Sequence, residues 1–184
     1  MKIAQIAPLI ESVPPEKYGG TERVVYALTE ELVRRGHEVT LFASGDSKTS
    51  AKLVSVFPKA LRKVKMQDLY GSNVYTNLNY GLAYSRQYQF DIIHDHLGHT
   101  SLPTANLSQK PVVMTLHGAF SPENKRIFEV LNRPYYVSIS NAQREPAPNL
   151  HYAGTVYNGL AMEDYPFSDK DEGYLLFVGR ISME

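Results

Sequence analysis

The stretch from Lys2 to Ser44 leaves little freedom in how it can fold. Lys2–Ala7 is a short apolar run stopped by Pro8. From Thr21 to Arg35, Val24, Val25, Leu28, Leu32 and Val33 recur at spacings of three and four, which marks an amphipathic helix. Arg34 and Arg35 suit its last turn, and Gly36 suits the position just past its end. Two residues later, Glu38–Ser44 is a β-rich run that ends in Gly45-Asp46. Strand, helix and strand in this order form a βαβ unit. Such a crossover joins parallel strands with a right-handed turn, so the fold class is α/β, a Rossmann-like parallel sheet sandwiched by helices.

The alternation continues along the chain. Leu53–Phe57 reads as a third strand. A helix is predicted from about Asn73 to Tyr88, with Val74, Leu78 and Leu82 on one stripe and Tyr80, Tyr84 and Tyr88 on a second, helix-packing stripe. Asp91–His94 and Pro111–Leu116 are the fourth and fifth strands. Ser121-Pro122-Glu123 opens a helix with a capping serine and proline at the first helical position. Tyr135–Ile139 is the sixth strand and Gly154–Tyr157 the seventh. The turn-rich, acidic segment after Gly159 reads as a linker over 161–173. Tyr174–Val178 is a continuous apolar run without a following helix, expected to be the first strand of a second domain. The predicted organisation is therefore a sheet domain over 1–160, the linker, and the start of a further domain over 174–184.

Composition removes several functions. Lys plus Arg and Asp plus Glu both number 19, so no overall field attracts nucleic acid or an anionic membrane. The absence of cysteine excludes disulfides, thiolate metal sites and a cysteine nucleophile, and fits a reducing compartment. No apolar run approaches the ~18 residues of a membrane span, and Met1–Ile6 enters a strand without a signal-peptide core, so the cytoplasm is expected. Pro58–Leu69 carries Lys59, Arg62, Lys63 and Lys65 beside Leu61, Val64 and Met66. It reads as a solvated connecting segment, with weak membrane-surface contact as the second reading.

In parallel sheets, chemistry gathers at the carboxyl ends of the strands. After the first strand, Gly19-Gly20 precedes the helix, with Thr21 as a capping residue and Glu22 in the first turn. Two glycines before an open helix N-terminus make an anion or phosphate site, and a helix start that merely needs glycine is the alternative. After the fourth strand come His94, Asp95, His96 and His99, and after the fifth His117. His94 and His96, two apart, share a strand face. They suit either a metal site or a polar cleft that hydrogen-bonds a ligand, and the third metal ligand is unassigned. A Ser-His-Asp hydrolase lacks its G-x-S-x-G elbow, and Ser138 and Ser140 have no evident base. His37 and His151 carry no motif.

Seven segments in order, Gly19–Glu22, Arg35–Val39, Asp91–His96, Thr115–Gly118, Val137–Asn141, Tyr157–Gly159 and Phe177–Arg180, resemble the N-terminal domain of a retaining GT-B glycosyltransferase of the family-four type. The resemblance implies two Rossmann-like domains around a cleft, this one facing a sugar, lipid or other small acceptor, and a nucleotide-diphosphate sugar as donor substrate without a cofactor. It implies Gly19 and Gly20 against the donor diphosphate, Arg180 clamping the same diphosphate, and His117 as the catalytic-side group near the transferred sugar. Glu22, His94, Asp95, His96, Ser140 and Asn141 would line the acceptor side of the cleft, with no metal. The lysine expected soon after Arg180 and the acidic E-x7-E segment are absent from the 184 residues, so the chain alone is expected to be inactive. A stand-alone flavodoxin-like nucleotide-binding module and a non-catalytic interaction domain are the alternatives.

Overall fold

The βαβ unit forms as the periodicity predicts. In the computed structural model, which describes residues 1–65, 70–159 and 166–179, β1 (Lys2–Ile6) pairs in parallel with β2 (Glu38–Phe42), aligning Ile3 with Val39 and Gln5 with Leu41. Helix α1 (Gly20–Arg34) crosses between them. Gly36 takes φ 82° and lets the N–H groups of Gly36 and His37 return to the carbonyls of Val33 and Leu32, which closes the helix.

The other end of α1 departs from the expected cap. Gly19, not Thr21, is the capping position, at φ 142°, and Thr21 lies inside the first turn. A side chain cannot enter here without strain, so the local geometry needs a glycine rather than a capping hydroxyl.

Among the described residues the sheet has seven parallel strands in the order β3-β2-β1-β4-β5-β6-β7, with β3 at Lys52–Val54, β4 at Ile92–Asp95, β5 at Val112–Leu116, β6 at Tyr135–Ser138 and β7 at Tyr152–Thr155. Helix α2 (Gly71–Ser85) carries the chain from one side of β1 to the other, and α3 (Leu102–Ala105), α4 (Pro122–Val130) and α5 (Asn141–Arg144) serve the right-hand strands. Two cores result. Ala7, Val25, Leu41 and Ala43 pack under α1, while Ala4, Ile6, Phe42, Ile93, Met114, Phe128 and Tyr136 fill the opposite face.

The inward stripe of α2 differs from the expected one. Val74 and Leu78 are exposed, and the buried residues are Asn79, Ala83 and Tyr84. The Asn79 amide donates to the carbonyls of Ala7 (3.2 Å) and Phe42 (3.4 Å), the second of which also accepts from Ala7 N–H at 3.0 Å. Satisfying the buried Ala7 carbonyl outweighs turning two more apolar side chains inward. Ser121 caps α4 as predicted, accepting from Asn124 N–H at 3.2 Å while the Asn124 side chain accepts from Ser121 N–H at 2.8 Å.

In the basic stretch, read as a solvated connecting segment, Leu61–Lys63 is one 3-10 turn whose Leu61 is buried. Arg62 pairs with Glu11, and Lys63 reaches Glu16 (2.8 Å) and Asp46 (3.1 Å). Backbone bonds from Leu61 and Arg62 N–H to the carbonyls of Leu9 and Ile10 complete the tie. Leu61 is thus turned inward and these two cations are engaged; Met66–Leu69 lie outside the described residues. Tyr174–Val178 is exposed and outside any strand among the described residues; the strand expected there would need a second sheet to pair with. Residues 160–165 of the expected linker, and Arg180, are outside the described residues. Among the described residues no helix is long and apolar enough to cross a membrane.

Candidate functional site

The carboxyl ends of β1, β4 and β5 bring three histidines and the start of α1 together. Alternation along β4 sends Asp95 and His94 to opposite faces. Asp95 is wholly buried on the α2 side, where it accepts from Tyr84 O–H and Leu97 N–H, both at 2.8 Å. Burial pushes its carboxyl up from the ordinary range. Asp95 thus holds the turn after β4 rather than facing a cleft.

His94 and His96 lie on the α1 face with their rings stacked, centroids 4.3 Å apart. His94 Nε2 meets Thr115 Oγ1 at 2.8 Å, His96 Nδ1 meets His117 Nε2 at 2.9 Å, and His96 Nε2 meets Gln5 Oε1 at 2.9 Å. Burial strips these imidazoles of solvent and disfavours the cation, which lowers His94 and His117 to about 4 and His96 well below its ordinary value. At neutral pH all three are uncharged hydrogen-bonding groups. The cluster is a polar wall built of rings bonded to one another, and among the described residues no group of three His, Asp or Glu is arranged to hold a metal ion.

Two cavities flank this wall. One, of about 400 Å³, is lined by Thr21, His96, His99, His117, Phe120 and Asn124. The second, of about 490 Å³, is apolar and lies along α1 against Val24, Leu28, Val137 and Tyr157, with His94 and His96 at its floor. A broader depression of about 990 Å³ sits at the amino ends of the strands beside Lys2, His37 and Asp91. It is remote from the strand ends where parallel sheets hold ligands.

Of the other sequence-predicted residues, Gly20 is exposed at the first turn of α1 and Gly19 is buried behind it. Glu22 lies beneath the loop and not in the cavity: burial raises its carboxyl, against hydrogen bonds from the main-chain N–H groups of Glu22 and Glu11. Ser140 accepts from Gln143 N–H at 3.1 Å as the cap of α5, and Asn141 is the exposed first residue of that helix. Neither is among the residues lining the two cavities.

Sequence reasoning missed Gln143. Its Nε2 donates to the carbonyls of Leu116 (2.9 Å) and Gly118 (2.8 Å), on both sides of His117, and its Oε1 accepts from Ile139 N–H at 2.9 Å. A lone glutamine in a short turn has no sequence signal, since its partners are backbone atoms of distant strands. Gln143→Leu is expected to lower unfolding stability by about 1 kcal/mol, the cost of stranding the part-buried Leu116 carbonyl while solvent can reach Gly118, and to speed hydrogen exchange at Gly118. Unchanged exchange would show that the turn is held by other means.

A model of Glycosyltransferase Family 4 matches residues 18–146. The chain belongs to glycosyltransferase family 4. The match begins at the glycine turn and contains all three histidines. Solved structures with the same fold include AviGT4, a glycosyltransferase involved in avilamycin A biosynthesis (24% identity, TM-score 0.55, 84% of this chain and 41% of that one). Sucrose-phosphate synthase from Thermosynechococcus elongatus is similar at 13% identity and TM-score 0.57 over 85% of this chain and 47% of that one. Acinetobacter baumannii MurG is similar at 11% identity and TM-score 0.50, over 85% and 45%. No curated protein matches. This family-four chain spans less than half the length of those three proteins, and its sheet is the N-terminal Rossmann-like layer of a GT-B glycosyltransferase fold.

Proposed function

We propose that the chain is the acceptor-side domain of an enzyme that moves a sugar from a nucleotide-diphosphate sugar to an acceptor hydroxyl with retention of anomeric configuration. The observation that carries this reading is that Thr21, in the first turn of α1, and His117 line one cavity. Main-chain N–H groups at an open helix N-terminus favour a diphosphate, and a neutral imidazole lining the same cavity suits sugar hydroxyls. The bond from the anomeric carbon to the diphosphate oxygen breaks, the acceptor oxygen bonds to the same face of that carbon, and the acceptor's proton leaves with the diphosphate. Gly19 and Gly20 would approach the diphosphate, with Arg180 opposite, and His117 would hydrogen-bond the transferred sugar. Because it is uncharged at neutral pH, His117 would do so as a dipole and not as a cation.

The same reading keeps the enzyme cytoplasmic and metal-independent, and leaves the isolated 184 residues without transfer activity. Holding donor and acceptor in one closed site is worth on the order of 7–11 kcal/mol of a barrier, and one wall of a cleft supplies little of it. The test is sugar transfer by the complete enzyme over the common nucleotide sugars, with the product anomer read by NMR and His117→Ala run beside the wild type. Transfer with retention, weakened at least about a hundredfold in the variant, is expected. Absence of transfer with every donor overturns the function, and an inverted anomer overturns retention.

A further inference from the structure

Gln5 is a fully buried amide in the middle of β1, between the apolar neighbours Ala4 and Ile6. Its Oε1 lies 2.9 Å from His96 Nε2, and its own Nε2 has no hydrogen-bond partner among the described residues. His96 Nδ1 in turn lies 2.9 Å from His117 Nε2. A neutral imidazole has one donor nitrogen and one acceptor nitrogen, so a chain of two rings and an amide carries its protons in a single direction. An amide oxygen only accepts. His96 must therefore donate from Nε2 and accept at Nδ1, and His117 must donate from Nε2. What remains on His117 is a bare Nδ1 lone pair, on the ring that lines the 400 Å³ cavity. Turning the amide over reverses every step and puts an N–H on His117 Nδ1 instead. Amide orientation and ring protonation therefore form one unit, and the orientation observed, with Oε1 toward His96, selects Nε2–H on both rings.

We propose that Gln5 is a positioning residue that, through His96, sets the tautomer of His117 and makes that ring a hydrogen-bond acceptor toward a ligand hydroxyl in the cavity. The ligand part of this inference rests on the sugar-transfer reading above; the tautomer part does not. The neighbouring ionisable groups leave the relay undisturbed. His94 stacks on His96 and is bonded to Thr115, and Asp95 turns its carboxylate to the other face of the sheet.

The experiment uses the 184-residue chain with ¹⁵N-labelled histidine and long-range ¹H–¹⁵N correlation at neutral pH without substrate, which reads the tautomer of each ring. The wild type is expected to show His96 and His117 both as Nε2–H. In Gln5→Leu the acceptor is gone, the two proton directions become comparable, and the Nδ1–H form of His117 should rise several-fold, while His94 keeps its pattern. Gln5→Glu retains an acceptor oxygen, so His117 should stay Nε2–H at every pH where His96 is neutral, with His96 titrating at higher pH than in the wild type; spectra of this variant are read above that transition. A folded Gln5→Leu protein with His117 unchanged overturns the proposal, and so does an Nδ1–H form of His117 in the wild type or in Gln5→Glu. If Gln5→Leu does not fold, the wild type and Gln5→Glu still decide. A failed transfer assay in the complete enzyme would count against the sugar-transfer reading and leave these spectra as they are.

Discussion

Gly19→Ala and Gly20→Val are expected to fail in opposite ways, the first by loss of stability and the second by loss of activity in a folded protein. A Cβ on Gly19 would meet Pro15 Cβ at 2.7 Å and Glu22 Oε2 at 3.1 Å, on a backbone held at φ 142°. Strain at such a backbone angle costs about 1–3 kcal/mol, and overpacking costs a similar amount. Gly19→Ala should thus lose roughly 2–5 kcal/mol, read by denaturant unfolding of the 184-residue chain. A Cβ on Gly20 meets nothing within 4 Å. Gly20→Ala should leave stability within about 1 kcal/mol of the wild type or raise it. In the complete enzyme, the larger Gly20→Val side chain would stand where the proposed function brings a diphosphate to the N–H groups, and on that proposal a fall in kcat/KM of about a hundredfold or more is expected. Normal turnover and donor affinity in Gly20→Val would place the diphosphate elsewhere. Equal stability of the two alanine variants would contradict the distinction between the glycines.

The second large effect is acid sensitivity. His94 and His117 are held at about 4 by burial, against about 6.5 in an unfolded chain. Between these values the unfolded chain binds protons that the folded one does not, so stability falls as pH falls. The contribution is complete above about pH 6.5 and lost progressively down to about pH 4. Each ring accounts for about 2 kcal/mol between pH 7 and pH 5, and the pair for on the order of 3 kcal/mol once their coupling is allowed for. Asp95 and Glu22 work the other way, since their raised carboxyls regain protons on acidification and offset part of the loss. Comparing wild type with His94→Asn separates the two, because the variant removes one imidazole and leaves both acids. Its unfolding free energy should depend less steeply on pH over this window. Parallel curves for the two proteins would refute the assignment.

Legibility in the sequence tracked how local each determinant is. The first crossover, Gly36 and the Ser121-Pro122 cap are set by neighbours within one turn, and all three form. The capping role assigned to Thr21 moved to Gly19, because the deciding contact is with Pro15 across a loop whose path no propensity fixes. Asn79 inside α2, Gln5 inside β1 and Gln143 in a four-residue helix each answer polar atoms on other elements, and nothing in their own windows sets them apart. The strand-end rule found the histidines without finding their partners. It also drew in Asp95, Glu22 and Ser140, whose positions in the chain are right but whose side chains serve the scaffold.

The ties between the loop that precedes α1 and the segment after β2 have an evolutionary reading. Leu9, Ile10 and Val13 are fastened largely through main-chain atoms: Leu61 and Arg62 N–H reach the first two carbonyls, Lys48 N–H reaches Val13 O at 2.7 Å, and Val13 N–H reaches Ser47 Oγ at 2.9 Å. Main-chain fastenings are indifferent to which side chain each position carries. Lys17, exposed at the crest just ahead of the glycines, is therefore free to drift among descendants while the turn behind it keeps its shape, and Glu16 and Tyr18 hold only exposed contacts with Lys63 and Arg62. Such a loop is a swappable tip on a fixed stem, the arrangement from which new binding preferences can be selected without rebuilding the turn behind it.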